Sequence, residues 1–187
     1  MEPLFLIVLA LCVFGPSMRG PLVIFDDQTA INNPETEQWF QRVIGAGWRE
    51  RLHLLWVQQR PVFQAANVFN YWWAGCFSPE RWHLLNALLH GFSACLVWLV
   101  VDRLGLGPSL WVAVAFVVHP VQTASVCYVT GRSSILAGLF LFLAVFLYLL
   151  PFPACFLAVP CLWLAYLSRE DSILAVLWLP ILEIFFR

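Results

Sequence analysis

Six apolar stretches recur along the chain, separated by short polar segments and by one long one. A helix needs about 20 apolar residues to cross a bilayer, with a range of about 17 to 25. The six predicted spans cover residues 3–18, 84–101, 110–129, 134–150, 152–167 and 173–186. The pattern predicts an all-α integral membrane protein with about six transmembrane helices, in which residues 1–187 form a single membrane domain.

A cleaved signal peptide is the alternative interpretation of the first apolar stretch. A signal peptide carries a cationic start and a small-residue cleavage site. The chain begins "MEP", without a cation, and the stretch ends in "GPSMRG", without such a site. We therefore expect a retained helix.

Composition strengthens the membrane assignment and excludes some functions. Hydrophobic residues make up 61% of the chain, charged residues 11%, and the mean hydropathy is +0.80, whereas soluble domains are about half apolar and a quarter charged. The net charge of −1 offers no basic field for nucleic acid. The six cysteines show no metal-ligand spacing, so no metal site is predicted.

The connection between the first two spans, residues 19–83, holds most of the polar chemistry. In "PETEQWFQRVIG" the apolar residues fall at helical spacing, and "RPVFQAANVFNYWWAG" is rich in aromatic residues. Trp and Tyr favour the membrane–water interface. We predict a large loop that contains two helices lying on the membrane surface. Packing of these aromatic residues on the spanning helices is compatible with that prediction.

The side of the membrane on which each loop lies follows from the order of the spans. The loops after the first, third and fifth spans contain Asp26 and Asp27, then Arg132, then "RED" at residues 169–171. The other two loops carry only Asp102 and Arg103. The candidate polar groups should therefore converge on one face. For each residue alone, an arginine at the lipid interface or a hydrogen-bonded core histidine is the alternative.

The third span is interrupted by His119 and Pro120. Five polar residues follow them toward the same face: Gln122, Thr123, Ser125, Tyr128 and Thr130. A polar, kinked half-helix is tolerated in a membrane only where it lines a cavity or packs on protein. This segment is therefore predicted to face the interior.

Five segments, taken in order, carry a resemblance to a known family. They are "FDDQTAINNP", "QRPVFQAANVFNYWWAG", "RWHLLNALLH", "FVVHPVQTASVCYVTGRSSILAGLFLFLAVFLYL" and "SREDSILAVLWLPILE". Together they resemble the N-terminal half of the membrane domain of the transmembrane and tetratricopeptide-repeat O-mannosyltransferases, which are GT-C glycosyltransferases. The run H-P-x-x-T-x-x-V-x-x-x-x-G-R, from His119 to Arg132, is the most specific segment.

The resemblance implies a GT-C-like fold and a sugar transfer, with mannose as the expected sugar, from a polyprenyl-phosphate carrier to a hydroxyl of a protein or glycan. The resemblance places the protein in a bacterial inner membrane or in the membrane of the endoplasmic reticulum, with its active face toward the periplasm or lumen. The lipid-linked sugar is the donor, and no cofactor is implied. Asp26 and Asp27 would be catalytic, with Asp26 as the base.

The same resemblance implies a set of substrate-binding residues. Arg60 and Arg132 would hold the phosphate, as arginine suits that geometry, with His119 nearby as a hydrogen-bond donor. Arg169 and Glu170 complete the expected set.

Several positions depart from the family pattern. Gln122 and Ala124 replace a histidine and a glutamate, Ser134 replaces an acid, and Gln59 replaces a tyrosine. The later helices and the tetratricopeptide repeats of the family are also missing from this chain, as expected for a fragment or a shortened homologue. The alternative function is a non-catalytic GT-C-derived subunit that binds lipid or partners within a larger membrane complex. A transporter or channel is less favoured, because its charges would lie within the spans.

Overall fold

A computed structural model of the chain describes residues 1–19, 34–177 and 184, and these residues contain helices and turns but no strand. The all-α prediction is therefore confirmed for them. Helix α1, Glu2–Phe14, continues into a 3-10 helix, Gly15–Arg19. Leu6 and Ala10 are fully buried in a cluster with residues of two later helices. The first predicted span is thus a helix packed into the fold.

Three helices, instead of the two predicted, fill the described part of the long connection. They are α2, Pro34–Gly45; α3, Trp48–Trp56; and α4, Pro61–Ala74. Helix α2 buries Phe40 and Val43 against Tyr71 of α4. The prediction missed α3 because three consecutive charged residues, 49–51, interrupt its apolar pattern.

Helix α5, Pro79–Leu104, begins five residues before the predicted start of the second span. Ser78 precedes it in an extended conformation, and proline follows at the first helical position, where its missing N–H costs nothing. The connection therefore ends at Ser78 and not at residue 83. Gly105, with φ 65°, ends the helix in the left-handed conformation.

The third predicted span is broken where the sequence indicated. Helix α6, Ser109–Val118, is followed by a 3-10 helix, Pro120–Gln122, and by α7, Thr123–Val126. The two halves are bent by 50°. Proline has no N–H to continue the helical ladder, which explains the position of the break.

The last described helices are shorter. Helix α8, Arg132–Tyr148, packs against α9, Ala158–Ser168, through Ala144, Ala158 and Cys161. A 3-10 helix, Ala154–Leu157, precedes α9, and another, Glu170–Leu177, follows it.

Two helical stretches are long and apolar enough to cross a membrane, Glu2–Arg19 and Pro79–Leu104, and the bent pair makes a third if it counts as one span. Helix α8 and the stretch Ala154–Ser168 are apolar but shorter. Six spans are therefore not confirmed. The predicted sixth span lies largely outside the described residues, and the GT-C arrangement stays a prediction.

Candidate functional site

Two of the predicted substrate-binding residues meet at one end of the helices. Arg60 Nη2 lies 3.0 Å from Glu170 Oε2, and Arg60 Nε donates to both carboxylate oxygens, at 3.0 and 3.3 Å. Both side chains are partly exposed, at 40% and 52%. This ion pair joins the start of α4 to the segment after α9.

The backbone of Arg60 is held in an unusual conformation. Its φ of 58° makes it the one non-glycine residue with positive φ in the part of the chain that the structure describes. The residue before a proline normally prefers extended conformations, and non-glycine residues rarely adopt this region without compensating contacts. The pair with Glu170 is such a contact, and it aims the guanidinium across a cleft.

The cleft around the pair is open and amphipathic, with a volume of about 290 Å³. Trp56, Gln58 and Pro61 line it from the side of α3 and α4, and Tyr166 and Leu167 line it from the last turn of α9. Apolar walls with one ion pair at the surface suit a ligand that has an anionic group beside an apolar group.

The ionisation of Glu170 reflects these contacts. A hydrogen bond from its own backbone and the guanidinium of Arg60 together hold the pKa of Glu170 below its usual range, against opposing effects of burial and of Asp171. The carboxylate of Glu170 therefore stays charged at neutral pH. An anion that binds Arg60 must compete with Glu170.

Arg169 lies beside this cleft but faces other partners. Its Nε donates to Asp171 at 3.0 Å. Its Nη1 donates to Ser134 near the start of α8. Ser134 replaces the acid that is usual in the family, and its hydroxyl still joins α8 to the end of α9.

Arg132 occupies a different environment from the one expected of a phosphate ligand. It is fully buried, and its guanidinium donates to the side-chain oxygens of three asparagines: to Asn86 at 2.7 Å, to Asn67 at 2.8 Å and to Asn70 at 2.7 Å. It also donates to the carbonyl of Trp82 at 3.0 Å and stacks over the Trp82 ring at 4.9 Å. This placement supports a structural role that joins α4, α5 and α8, and phosphate binding by Arg132 stays a prediction.

The three asparagines are the site residues that the sequence analysis did not single out. Asn67 and Asn70 lie three residues apart on α4, and Asn86 also donates to the carbonyls of Val126 and Tyr128. On α5 the buried polar residues are His83, Asn86, His90 and Ser93. Their spacing of three, four and three residues places them on one helical face, and polar residues at this spacing in an apolar span were the available signal.

His119 lies at the break of the third span and is exposed. Its Nδ1 accepts a hydrogen bond from the backbone N–H of Val121 at 3.2 Å. In an unbroken helix that N–H would bond to the carbonyl of Val117. The carbonyl of Val117 instead lies 3.5 Å from Nε2 of buried His90 on α5. Among the described residues, His119 makes no hydrogen bond to Arg60, Arg132 or Glu170, so its role in substrate binding stays a prediction.

The predicted catalytic pair, Asp26 and Asp27, lies outside the described residues. Within the described ranges no group of three His, Cys, Asp or Glu side chains is placed to hold a metal ion.

Comparisons with known proteins give one consistent set of relatives. Human protein O-mannosyl-transferase TMTC4 is 29% identical over 160 residues, which cover 72% of this chain and 21% of the relative. Mouse TMTC1 is 32% identical over 150 residues, 72% of this chain and 15% of the relative. Mouse TMTC3 is 41% identical over 71 residues, 37% of this chain and 8% of the relative.

The chain thus spans about a fifth or less of the length of these relatives. No protein-family model matches it, and no solved structure matches it. The similarity nevertheless extends over most of the chain and confirms the resemblance drawn from its motifs: the chain is a relative, over about 72% of its length, of the TMTC protein O-mannosyl-transferases.

Proposed function

We propose that this chain is part of a membrane O-mannosyltransferase that transfers mannose from a polyprenyl-phosphate carrier to a protein hydroxyl on the periplasmic or lumenal face. The observation that carries the proposal is the similarity, over 72% of the chain, to proteins named as O-mannosyl-transferases. The Arg60–Glu170 cleft supports it, because a phosphate headgroup and the first part of a lipid chain need a cation beside apolar walls.

In the proposed reaction, Asp26 takes the proton of the acceptor hydroxyl as its oxygen attacks the anomeric carbon of the donor. A new bond forms between these two atoms, and the bond from the anomeric carbon to the phosphate oxygen breaks. The electron pair leaves with the polyprenyl phosphate. Arg60 stabilises the phosphate once the phosphate has displaced Glu170. A positioned base such as Asp26 accelerates a reaction of this kind by about 10²- to 10⁴-fold.

Donor binding is the first test. The chain is reconstituted in phospholipid nanodiscs, and its affinity for radiolabelled polyprenyl-phosphate mannose is measured. A charge-assisted contact is worth about 1.5 to 3 kcal/mol, so Arg60→Gln should weaken binding about tenfold or more. Arg103→Gln is the matched control, since Arg103 is an exposed arginine at the far end of α5. Equal affinity in Arg60→Gln and Arg103→Gln would contradict the assignment of Arg60.

Sugar transfer is the second test, with transfer to Ser- and Thr-containing peptides measured together with protein level. Asp26→Asn keeps the shape and removes the base, so transfer should fall by about 10² or more with donor binding intact. Full transfer by Asp26→Asn at a normal protein level would remove the catalytic interpretation. Normal assembly of the parent and of Asp26→Asn, with no donor binding and no transfer in either, would support the non-catalytic subunit.

A further inference from the structure

A polar cavity lies inside the apolar part of the fold, between α5, the broken span and α8. Its volume is about 180 Å³. Five of the residues that line it have side chains able to form hydrogen bonds: His90, Ser93, Gln122, Ser125 and Ser134. His90 and Ser93 are each 2% exposed, so this polar wall is built into the packed helices. Polar side chains within apolar helices are costly to bury and mark functional sites in membrane proteins.

An apolar groove adjoins this cavity at the break in the third span. The groove has a volume of about 470 Å³. Phe116, Gln122 and Phe142 line both the groove and the cavity, and the two phenylalanine rings meet edge to face, 5.7 Å apart. The other residues that line the groove are Val97, Val112, Ala115, His119 and Val121. Val112 and Val121 are 41% and 64% exposed, so the groove opens on the outer surface of apolar helices, which lipid would cover.

The lining of the cavity and the groove is uncharged. Among the described residues that line them there is no Asp, Glu, Lys or Arg. Arg169, which donates to Ser134 in the cavity wall, is itself paired with Asp171. Gln122 and Ser134 stand where the family pattern has a histidine and an acid, so two departures from that pattern lie on this one cavity. A charged ligand group would lose its hydration here without gaining an opposite charge from the lining, and the lining therefore favours an uncharged polar group.

The number of polar groups in the cavity distinguishes between uncharged head groups. Ser93 donates to the carbonyl of Leu89, and Ser134 accepts from Arg169, but a hydroxyl takes part in up to three hydrogen bonds. Gln122 adds two N–H donors and a carbonyl. A single hydroxyl, as in a sterol, would satisfy few of these groups, whereas a glycerol unit with one hydroxyl and two ester carbonyls would meet several. Such a head group with acyl chains attached matches a polar cavity that adjoins an apolar groove.

We propose that this cavity binds a diacylglycerol, with the glycerol unit among Gln122, Ser125 and Ser134 and the acyl chains in the groove. The occupant is then an uncharged lipid and not a phospholipid. The proposal does not depend on sugar transfer, because none of the described residues that line the Arg60–Glu170 cleft lines the cavity or the groove.

Photolabelling of the full chain tests the proposal. The chain is reconstituted in vesicles of palmitoyl-oleoyl phosphatidylcholine that contain a diacylglycerol carrying a diazirine and an alkyne. After irradiation, the labelled peptides are identified by mass spectrometry. We expect label within residues 112–122 and 138–142, which line the groove and the cavity. An excess of dioleoylglycerol should reduce this label several-fold, and the same amount of dioleoyl phosphatidic acid or of cholesterol should leave it unchanged.

Two variants test the assignment of the site. Gln122→Leu removes the amide at similar size. Gly138→Leu fills the cavity from α8, where a Cβ would meet only the Phe142 ring, at 3.9 Å. Each variant should lower the competed label several-fold. Thr123→Val is the matched control and should label as the parent does, because exposed Thr123 is next to Gln122 but does not line the cavity or the groove.

Three results would overturn the proposal. Label that excess dioleoylglycerol does not reduce would show general contact with bilayer lipid, and the cavity would then hold only water. Equal competition by phosphatidic acid or by cholesterol would contradict a site that selects an uncharged glycerol unit. Competed label that persists unchanged in both Gln122→Leu and Gly138→Leu would place the site elsewhere. Because the competition is measured in the parent chain, it decides even when a variant fails to accumulate.

Discussion

Arg60 and Glu170 form an ion pair with a shortest separation of 3.0 Å, although they are 110 positions apart in the chain. The pair unites the start of α4 with the segment after α9. It also holds an arginine in a left-handed conformation before a proline. The position of this guanidinium therefore depends on a contact from the far end of the sequence.

Glu170→Gln should reveal a small pH-dependent contribution of this pair to stability. Because the pKa of Glu170 is lowered in the fold, the stabilisation is present above the usual carboxyl pKa and is lost as the pH falls through the lowered value. The pair is exposed, so we expect about 0.2 to 1 kcal/mol at neutral pH. Thermal unfolding of the parent and of Glu170→Gln should therefore differ at neutral pH and converge in acid.

A double-mutant cycle provides the control for that experiment. Arg60→Gln should produce a similar loss, and adding Glu170→Gln to it should change the Tm little, because the two residues share one interaction. Simple addition of the two losses would show that the residues do not act as a pair in solution.

Arg132→Lys should destabilise the protein strongly. Lysine keeps the charge but lacks the planar fork of arginine, so several of the four acceptors around Arg132 lose their donor. Each buried group left unpaired costs about 1 to 3 kcal/mol, and a total loss of about 3 kcal/mol or more should appear in thermal unfolding. Arg103→Lys is the control, since exposed Arg103 should tolerate it within about 0.5 kcal/mol.

The same variant separates the two roles considered for Arg132. Weaker donor binding with an unchanged Tm would favour phosphate contact. A lowered Tm, with donor binding restored when the protein is kept cold and folded, would favour the structural role.

Gly131→Ala should disturb the turn that leads into α8. A Cβ at this position would lie 2.4 Å from the carbonyl oxygen of Ser125 and 2.9 Å from that of Ala124, and backbone atoms cannot move aside as a side chain can. We expect a loss of about 1 to 3 kcal/mol. Gly138→Ala is the matched control, because its Cβ would meet only the Phe142 ring, at 3.9 Å, and alanine favours a helix by about 1 kcal/mol. A Tm that falls equally in both variants would contradict the close approach at Gly131.

Reporter fusions should place residues 132 and 171 on the same side of the membrane and residue 103 on the other. The expectation follows from the contacts that join Arg132 to Asn67 and Glu170 to Arg60, since Asn67 lies in α4 and Arg60 directly precedes that helix. The fused reporter is read as alkaline phosphatase or as a cytoplasmic fluorescent protein. Reporters at 132 and 171 on opposite sides would be incompatible with these two contacts.

The elements that could be predicted are those with a local signal. Apolar runs located α1, α5, the bent pair and α8, and the missing N–H of Pro120 located the break. Helix α3 was missed because the charged residues 49–51 interrupt its apolar pattern, so that its buried side becomes evident only from the packing of Leu54 and Leu55 against the cluster around Phe40. The early start of α5 had a local signal in Ser78 and Pro79, but hydropathy alone placed the boundary at the first long apolar run.

The candidate site was predictable in its residue types more than in its contacts. Arg60 and Glu170 were both expected near the substrate, and the structure shows that they pair. The environment of Arg132 could not be read from neighbouring residues, since its partners come from α4 and α5. A buried arginine surrounded by amides is a tertiary arrangement, and only the regular spacing of polar residues in α5 hinted at it.

Two histidines, His119 within the broken span and His90 on α5, contact the backbone at the break. The N–H of Val121 and the carbonyl of Val117, which would bond to each other in an unbroken helix, have separate partners here. The N–H of Val121 donates to His119, and His90 of α5 contacts the carbonyl of Val117. The break is therefore contacted by a residue of a neighbouring helix, His90 of α5. Helix α5 contacts both halves of the broken span, through His90 at the carbonyl of Val117 and through Asn86 at the carbonyl of Val126. We therefore expect a displacement of α5 to act on both halves, and the second half leads through the turn at Gly131 to Arg132. We therefore expect the angle of the bend to follow the position of α5.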